Sequence, residues 1–248
     1  MKYYKADLHI HTCLSPCGDL DMSPRKIIAR AKEMELDMIA ITDHNTTRNV
    51  RPCFELGKEH GVFVIGGCEV NSREEVHCLA FFPDFERLDA FQSYIDEKLP
   101  PIPNNPDYFG HQVAVDVDDN IIYVEEKSLF TGIDDDIESI AEKVLELDGV
   151  FIPAHIERPK NSIFSQLGFL PPDLKYHALE VSWRTTIEDF TEKHPGLAGE
   201  TFVQNSDAHY LEDIGKRFTQ YCLCELDWEN FAASFGKAKR GCFKNIMV

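Results

Sequence analysis

The chain has 248 residues, 43% of them hydrophobic, with 43 acidic against 25 basic side chains and a formal net charge of −18. That length suits one large α/β domain, or less naturally two small ones, and needs no disulfide or structural metal to fold. The charge argues against a broad duplex nucleic-acid surface, because long nucleic acids bind through Lys and Arg on phosphates, whereas a small phosphorylated substrate stays open because bound divalent cations reverse the sign locally.

Met1-Lys2-Tyr3-Tyr4 leads straight into a strand-like run, so no signal peptide is expected. No apolar stretch approaches the roughly 18 residues of a membrane span, so no membrane association is expected. The eight cysteines then read as free thiols of a reduced, cytoplasmic protein. Cys13 and Cys17, and Cys222 and Cys224, do not form CxxC pairs, which argues against a structural zinc ribbon.

In chain order, the first predicted strand covers residues 4–9 and runs into Asp7-Leu8-His9-Ile10-His11-Thr12. Residues two apart on a strand face the same side, so His9 and His11 can reach a single ion together. A helix follows over 24–35, with Ser23 placed as N-cap and Pro24 at the first helical position. The strand over 37–42 ends in Thr42-Asp43-His44. Polar residues directly after a buried apolar strand sit at its C-terminal end, the side on which barrel active sites form. A helix over 48–60 leads to a strand over 62–70 that closes on Glu69. The next strand, 76–82, begins too soon for a parallel crossover, which needs a dozen or more residues. It must therefore run antiparallel and deliver His77 beside Glu69.

A helix over 85–98 gives way to Pro100-Pro101-Ile102-Pro103-Asn104-Asn105-Pro106, which suits neither helix nor strand. Beyond it, 113–117 and 121–124 flank Asp118-Asp119-Asn120 and predict a hairpin. Residues 100–133 read as an insertion, either a flap over the site or a surface excursion. A helix over 136–148 precedes the strand 150–154, which ends at His155. The strands 178–183 and 201–205 bracket a helix over 186–193, and the second runs into Ser206-Asp207-Ala208-His209. A strand over 219–225 and a helix over 228–239 complete the pattern. Alternating strands and helices predict a largely parallel sheet, and about seven such units favour a closed barrel.

Of ten histidines, six (His9, His11, His44, His77, His155 and His209) fall at strand rims that one barrel mouth would gather. His60, His111, His177 and His194 fall in helices, loops or the insertion and are expected to be non-functional. Six rim histidines gathered with Asp19, Asp43, Glu69 and Asp207 in one pocket need a compensating partner or a metal, and the metal is the reading taken. Imidazole and carboxylate donors suit Zn, Mn or Fe, and two ions bridged by Glu69 would clamp the attacked and leaving oxygens of a displacement. Arg158 after His155 and Arg184 after the strand 178–183, and behind them Lys160 and Arg217, are the basic residues available to a phosphate.

These residues, in this order, resemble the PHP (polymerase and histidinol phosphatase) superfamily from His9 to His209. Its four signature regions match Asp7-Leu8-His9-Ile10-His11-Thr12, Thr42-Asp43-His44-Asn45, Pro153-Ala154-His155 and Ser206-Asp207-Ala208-His209. The resemblance implies a distorted (β/α)7 barrel over residues 1–248, with the insertion at about 100–133, and two or three divalent ions. It implies a first ion on His9, His11, Glu69 and Asp207, a second on Glu69, His77 and His155, and a third on Asp19, His44 and His209, with Asp43 behind a ligand histidine. The family often reads His-Thr-x-x-Ser-Asp-Gly where this chain has His11-Thr12-Cys13-Leu14-Ser15-Pro16-Cys17-Gly18-Asp19. Counting back from Ser23 assigns the displaced carboxylate to Asp19, with Asp21 as the fallback and Cys17 as a remoter thiolate alternative. The expected reaction is attack of a metal-bound hydroxide on phosphorus in a small phosphomonoester, nucleotide or short oligonucleotide. An amidohydrolase-like C–N hydrolase and a non-catalytic metal-binding domain are the competing readings.

Overall fold

The computed structural model describes residues 1–236 and the backbone of 243–247. Its centre is a seven-stranded sheet in the order β11-β10-β1-β2-β3-β4-β7. β1 (Lys2–Ile10), β2 (Met38–Ile41) and β3 (Phe63–Asn71) pair in parallel, each with its C-terminal residues buried. β4 (His77–Phe82) runs antiparallel to β3, with Asn71 opposite His77, as the short link between them requires. β7 (Val150–Pro153) is antiparallel to β4 in turn. β10 (Arg217–Leu223) pairs antiparallel with β1, and β11 (Phe243–Met247) lies outside it. The C-terminal ends of β1, β2, β3 and β7 and the N-terminal end of β4 therefore share one rim. The predicted helix over 228–239 is present as α8 (Trp228–Ser234), and residues 237–239 lie outside the described residues.

The closed, largely parallel barrel needs correction on two counts. Three pairings within the described sheet, besides that of β11, are antiparallel. The sheet is a curled half-barrel, and β8 (Leu179–Glu180) and β9 (Phe202–Val203) form a separate parallel pair of two residues each. Polar side chains take up the hydrogen bonds that a continuous ladder would make there. Asn205 Oδ1 accepts from the Leu8 amide, Glu180 Oε2 from the His155 amide, and Thr219 Oγ1 from the Gln204 amide. The residues that end β8 and β9 early are thus those turned toward the rim.

The helices form where the apolar spacing demands. α5 (Ile137–Glu146) buries Ile137, Ile140, Ala141 and Val144, one stripe of a 3.6-residue period, and Asp136 caps it by accepting from the Ser139 amide. α1 (Pro24–Glu33) starts on Pro24 as expected, although Ser23 makes no side-chain cap. α2 (Val50–His60) ends on Gly61 at φ 76°, a left-handed cap that suits glycine. α3 (Phe85–Lys98) is capped by Asp84, and α7 (Ile187–Lys193) by Thr186. A further turn, α6 (Ile163–Gln166), follows β7.

The insertion holds the short helix α4 (Pro106–Phe109) and the antiparallel pair β5 (Val113–Val115) and β6 (Ile121–Val124). Three rim asparagines fasten it. Asn45 Nδ2 donates to the carbonyls of Leu129 and Thr131, Asn49 Oδ1 accepts from the Val115 amide, and Asn71 Nδ2 donates to the Phe130 carbonyl. The segment is thereby set beside His44, whose ring lies 5.8 Å from that of Phe130. Among the described residues no helix is long and apolar enough to cross a membrane.

Candidate metal centre

Glu69 occupies the middle of the rim and is almost completely buried. Its two carboxylate oxygens face different neighbours. Oε1 lies 3.3 Å from His9 Nε2, 3.0 Å from His77 Nδ1 and 3.0 Å from His155 Nε2. Oε2 lies 3.3 Å from His11 Nε2 and 3.1 Å from His44 Nδ1. Asp207 closes the cup from the loop after β9, with Oδ1 3.4 Å from His9 Nε2, 3.6 Å from His11 Nε2 and 3.6 Å from His209 Nδ1. The ring of His209 stacks 4.2 Å from His11. All six rim histidines and both carboxylates thus meet in one cup. The backbone is strained to build it: His155 has φ 29° and Asp207 φ 52°, in a region that costs non-glycine residues about 1–3 kcal/mol.

A second layer orients the rings. Glu180, which the sequence reading did not single out, sits 3.0 Å from His9 Nδ1 and accepts from Asn205 Nδ2 at 2.7 Å. A carboxylate on the far nitrogen of an imidazole fixes its orientation and raises its basicity as a ligand. The available signal was a single acid in an apolar strand, Ala178-Leu179-Glu180-Val181. Asp43 stands one hydroxyl behind His11: Ser15 Oγ donates to Asp43 Oδ1 at 2.6 Å and lies 2.9 Å from His11 Nδ1. Asp43 also accepts from the Thr12 amide and hydroxyl, so it ties the loop after β1 to the end of β2.

The charges in the cup are unbalanced. Burial opposes ionisation of Glu69, yet His77, His9 and His44 hold its carboxyl well below the usual range. Burial also opposes a charge on His9, but Glu180, Glu69 and Asp207 outweigh it and raise that imidazole well above its ordinary value. His44 goes the other way: burial lowers it against the pull of Glu69, and His11 and His77 add to the lowering. Burial, with His11 next, pushes His209 down to about 4. Meanwhile His9 Nε2 and His11 Nε2 are sealed from solvent without a hydrogen-bond partner, a state that ordinarily costs about 1–3 kcal/mol per group. Orphaned imidazole nitrogens facing carboxylate oxygens fit divalent cations such as Zn, Mn or Fe. Within the cup, His9, His11 and Glu69, and His44, Glu69 and His77, each offer donor atoms within 4.8 Å of one another.

Asp19 is not brought into the cup. Its side chain is exposed, its Oδ1 accepts from the Asp21 amide, and Asp21 pairs with Lys26. Cys17 instead lies with His11, His44 and His209, again within 4.8 Å. Counting back from the helix start does not find the residue nearest the cup, because the loop turns three times between Thr12 and Met22. Arg158 is at the mouth, one-third exposed, with Nη1 2.6 Å from Asp207 Oδ2. Arg184 is exposed and stacks 4.5 Å from the Trp183 ring, Lys160 is exposed, and Arg217 donates to the Trp183 carbonyl. The other four histidines lie elsewhere: His60 binds the Leu56 carbonyl, His111 is exposed, His177 accepts from the Phe151 amide, and His194 stacks on Phe190.

The fold recurs in known proteins. The chain resembles endonuclease Q from Pyrococcus furiosus, with a TM-score of 0.74 and 21% identity over 98% of this chain and 58% of that one. A second endonuclease Q structure, holding a 27-mer duplex with an abasic lesion at its active site, matches with a TM-score of 0.71 and 20% identity, over the same shares of the two chains. In sequence, 78 residues are 42% identical to an uncharacterized protein of Methanocaldococcus jannaschii, covering 28% of this chain and 46% of that protein. A stretch of 66 residues is 33% identical to a phosphoribosyl 1,2-cyclic phosphate 1,2-diphosphodiesterase of Eggerthella lenta, covering 27% of this chain and 24% of that enzyme. The chain thus spans about half the length of the first of these relatives.

The expectation of no duplex nucleic-acid surface does not stand. The same fold carries a bound DNA duplex in endonuclease Q. A net charge of −18 sums over the whole surface and does not set the sign of the potential at any one face. The PHP domain model matches residues 7–149, which hold Asp7, His9, His11, Asp43, His44, Glu69 and His77, and the chain belongs to the PHP domain family.

Proposed function

We propose that the chain is a metal-dependent phosphoesterase that hydrolyses a small phosphomonoester, a nucleotide or a short oligonucleotide at a centre of two or three divalent ions. The observation that carries this reading is the split of Glu69, with Oε1 turned to His9, His77 and His155 and Oε2 to His11 and His44. One carboxylate with imidazoles around both of its oxygens can serve more than one ion. His9, His11, Asp207, His77 and His155 would hold the bridged pair, and His44 and His209 an ion beside it. Bound there, the ions would supply Lewis acidity to the phosphoryl oxygens and make water a nucleophile near neutral pH. Asp19, exposed at the edge, has no part in this reading.

The chain's own groups do the remaining work. Glu180 and the Ser15–Asp43 pair hold His9 and His11 in the orientation the ions need. Arg158 is the cation at the mouth, and its planar fork suits the non-bridging oxygens of a phosphate. Arg184, further out on Trp183, would meet a longer substrate. Phe130 beside His44, with Phe109 5.3 Å from Phe130, gives the mouth an aromatic wall against which a base can stack. Residues 1–248 act as one unit in this reading, with 100–133 forming that wall.

A longer, duplex substrate is the second reading, favoured by the likeness to a duplex-bound endonuclease Q. Metal-loaded protein should be assayed on a chromogenic phosphomonoester, a phosphodiester, a cyclic amide, and single-stranded and abasic duplex oligonucleotides. Turnover of a phosphate ester that chelation abolishes is expected. Amide turnover without phosphate ester turnover would reassign the chemistry to C–N bonds, and inactivity on the whole panel would make the cup a binding site only.

A further inference from the structure

One corner of the cup differs in chemistry from the rest. His11, Cys17, His44 and His209 each offer one donor atom there, and the four atoms lie within 4.8 Å of one another. We propose that Cys17 is a thiolate ligand of an ion held at this corner, making it a nitrogen-and-sulfur site beside the carboxylate-bearing sites around Glu69. The inference rests on the metal-centre reading and is independent of the reaction.

Four observations carry it. His11 is fully buried, its Nδ1 is occupied by Ser15 Oγ, and its Nε2 faces the cup without a hydrogen-bond partner. Both neighbouring rings converge on it, His44 at 4.6 Å and His209 at 4.2 Å between centroids. The nearby carboxylate of Asp19 points away, exposed and occupied by the Asp21 amide. Finally, the loop that delivers Cys17 has no slack. Ser15 donates its amide to Thr12 and Gly18 donates to Ser15, and a Cβ on Gly18 would stand 2.3 Å from the Thr12 carbonyl oxygen. Asp43 binds Thr12 and Ser15 from beneath, so the loop and the His11 ring are positioned by the same carboxylate. Cys13, Cys53, Cys68 and Cys78 are buried, and Cys17 is the one cysteine among the described residues that joins such a donor group.

A thiolate is a soft ligand, so this corner would select Zn or Fe over Mn, while the oxygen-bearing positions tolerate all three. Binding would release the thiol proton to solvent. His11 and His44 also face Glu69, which leaves Cys17 and His209 as the donors special to this corner.

The test is the absorption spectrum of the full chain loaded with Co(II), in a background with Cys222, Cys224 and Cys242 replaced by serine to remove stray thiol sites. A near-ultraviolet thiolate-to-cobalt charge-transfer band is expected. Cys17→Ser should lose that band and bind the corner ion at least roughly tenfold more weakly. Cys17→Asp should lose the band but keep the parent's cobalt content, which shows that the cup is still assembled. A fully loaded parent without the band, or a Cys17→Ser protein that retains it, would overturn the assignment. Phosphate ester turnover measured on the same samples separates the two readings: a band without turnover defeats the phosphoesterase, and turnover without a band defeats the thiolate.

Discussion

The two sides of the cup are built differently. On one side the donors ride on the sheet: His9 and Glu69 lie inside β1 and β3, His77 begins β4, and His155 follows β7. On the other side they ride on loops: Cys17 after β1, Asp207 and His209 after β9. On the sheet side His9, Glu69 and His155 are at most 1% exposed and the His77 side chain 11%, whereas the side chains of Asp207 and His209 are 11% and 22% exposed. Strand hydrogen bonds fix His9, Glu69 and His77 in the register of the ladder, the Glu180 carboxylate holds the His155 amide, and loop turns fix the second set. The difference predicts a centre in two parts, with ions bridged by Glu69 held firmly and the corner ion exchanging more readily.

The comparison can be broken most easily at Glu69, which serves both sides. Glu69→Gln should lower phosphate ester turnover roughly 100- to 1,000-fold, the range that loss of one transition-state contact costs, and metal analysis should show fewer ions per chain. Full activity in that variant would remove the bridge from the account. His209→Gln tests the loop side alone. It should cost about one ion per chain and roughly 10- to 100-fold in turnover, with the remaining ions retained. Loss of every ion would mean that the two sides are a single cooperative site.

Glu180→Gln sharpens the sheet side. It removes the carboxylate 3.0 Å from His9 Nδ1 without touching a donor that faces the cup, and should weaken metal affinity about tenfold while the stoichiometry at saturating metal is unchanged. The smallest effect belongs to His60→Gln, on a ring that binds the Leu56 carbonyl within α2. Its stability should stay within about 0.5 kcal/mol of the parent and its turnover should not change. A large drop in turnover there would show that the wrong imidazoles have been placed at the mouth.

The same division explains what could be read from the residues alone. Period-two alternation puts His9 and His11 on one face, and a link too short for a crossover puts His77 against Glu69. The second follows from strand geometry and is present in the pairing of β3 with β4. The first holds in that both Nε2 atoms face Glu69, although β1 ends at Ile10 and its register shifts between Asp7 and Ile10. The loop side obeys no period. Counting residues selects Asp19, but three turns between Thr12 and Met22 leave it exposed and bring Cys17 in. Closure of the barrel was likewise out of reach, because Glu180 and Asn205 replace ladder hydrogen bonds with side-chain ones and end β8 and β9 after two residues. Glu180 left a trace as one acid in an apolar run, but its partner His9 is 171 residues away. No local pattern links them. The net charge misled for a related reason, since a sum over the surface says little about a mouth whose charge depends on what the cup holds.

Anomalous diffraction from crystals of metal-loaded protein, collected at the Mn, Fe and Zn edges, tests the central claim most directly. The account predicts at least two peaks flanking the Glu69 carboxylate, one within bonding distance of His77 and His155. An empty cup in protein supplied with all three metals would contradict it.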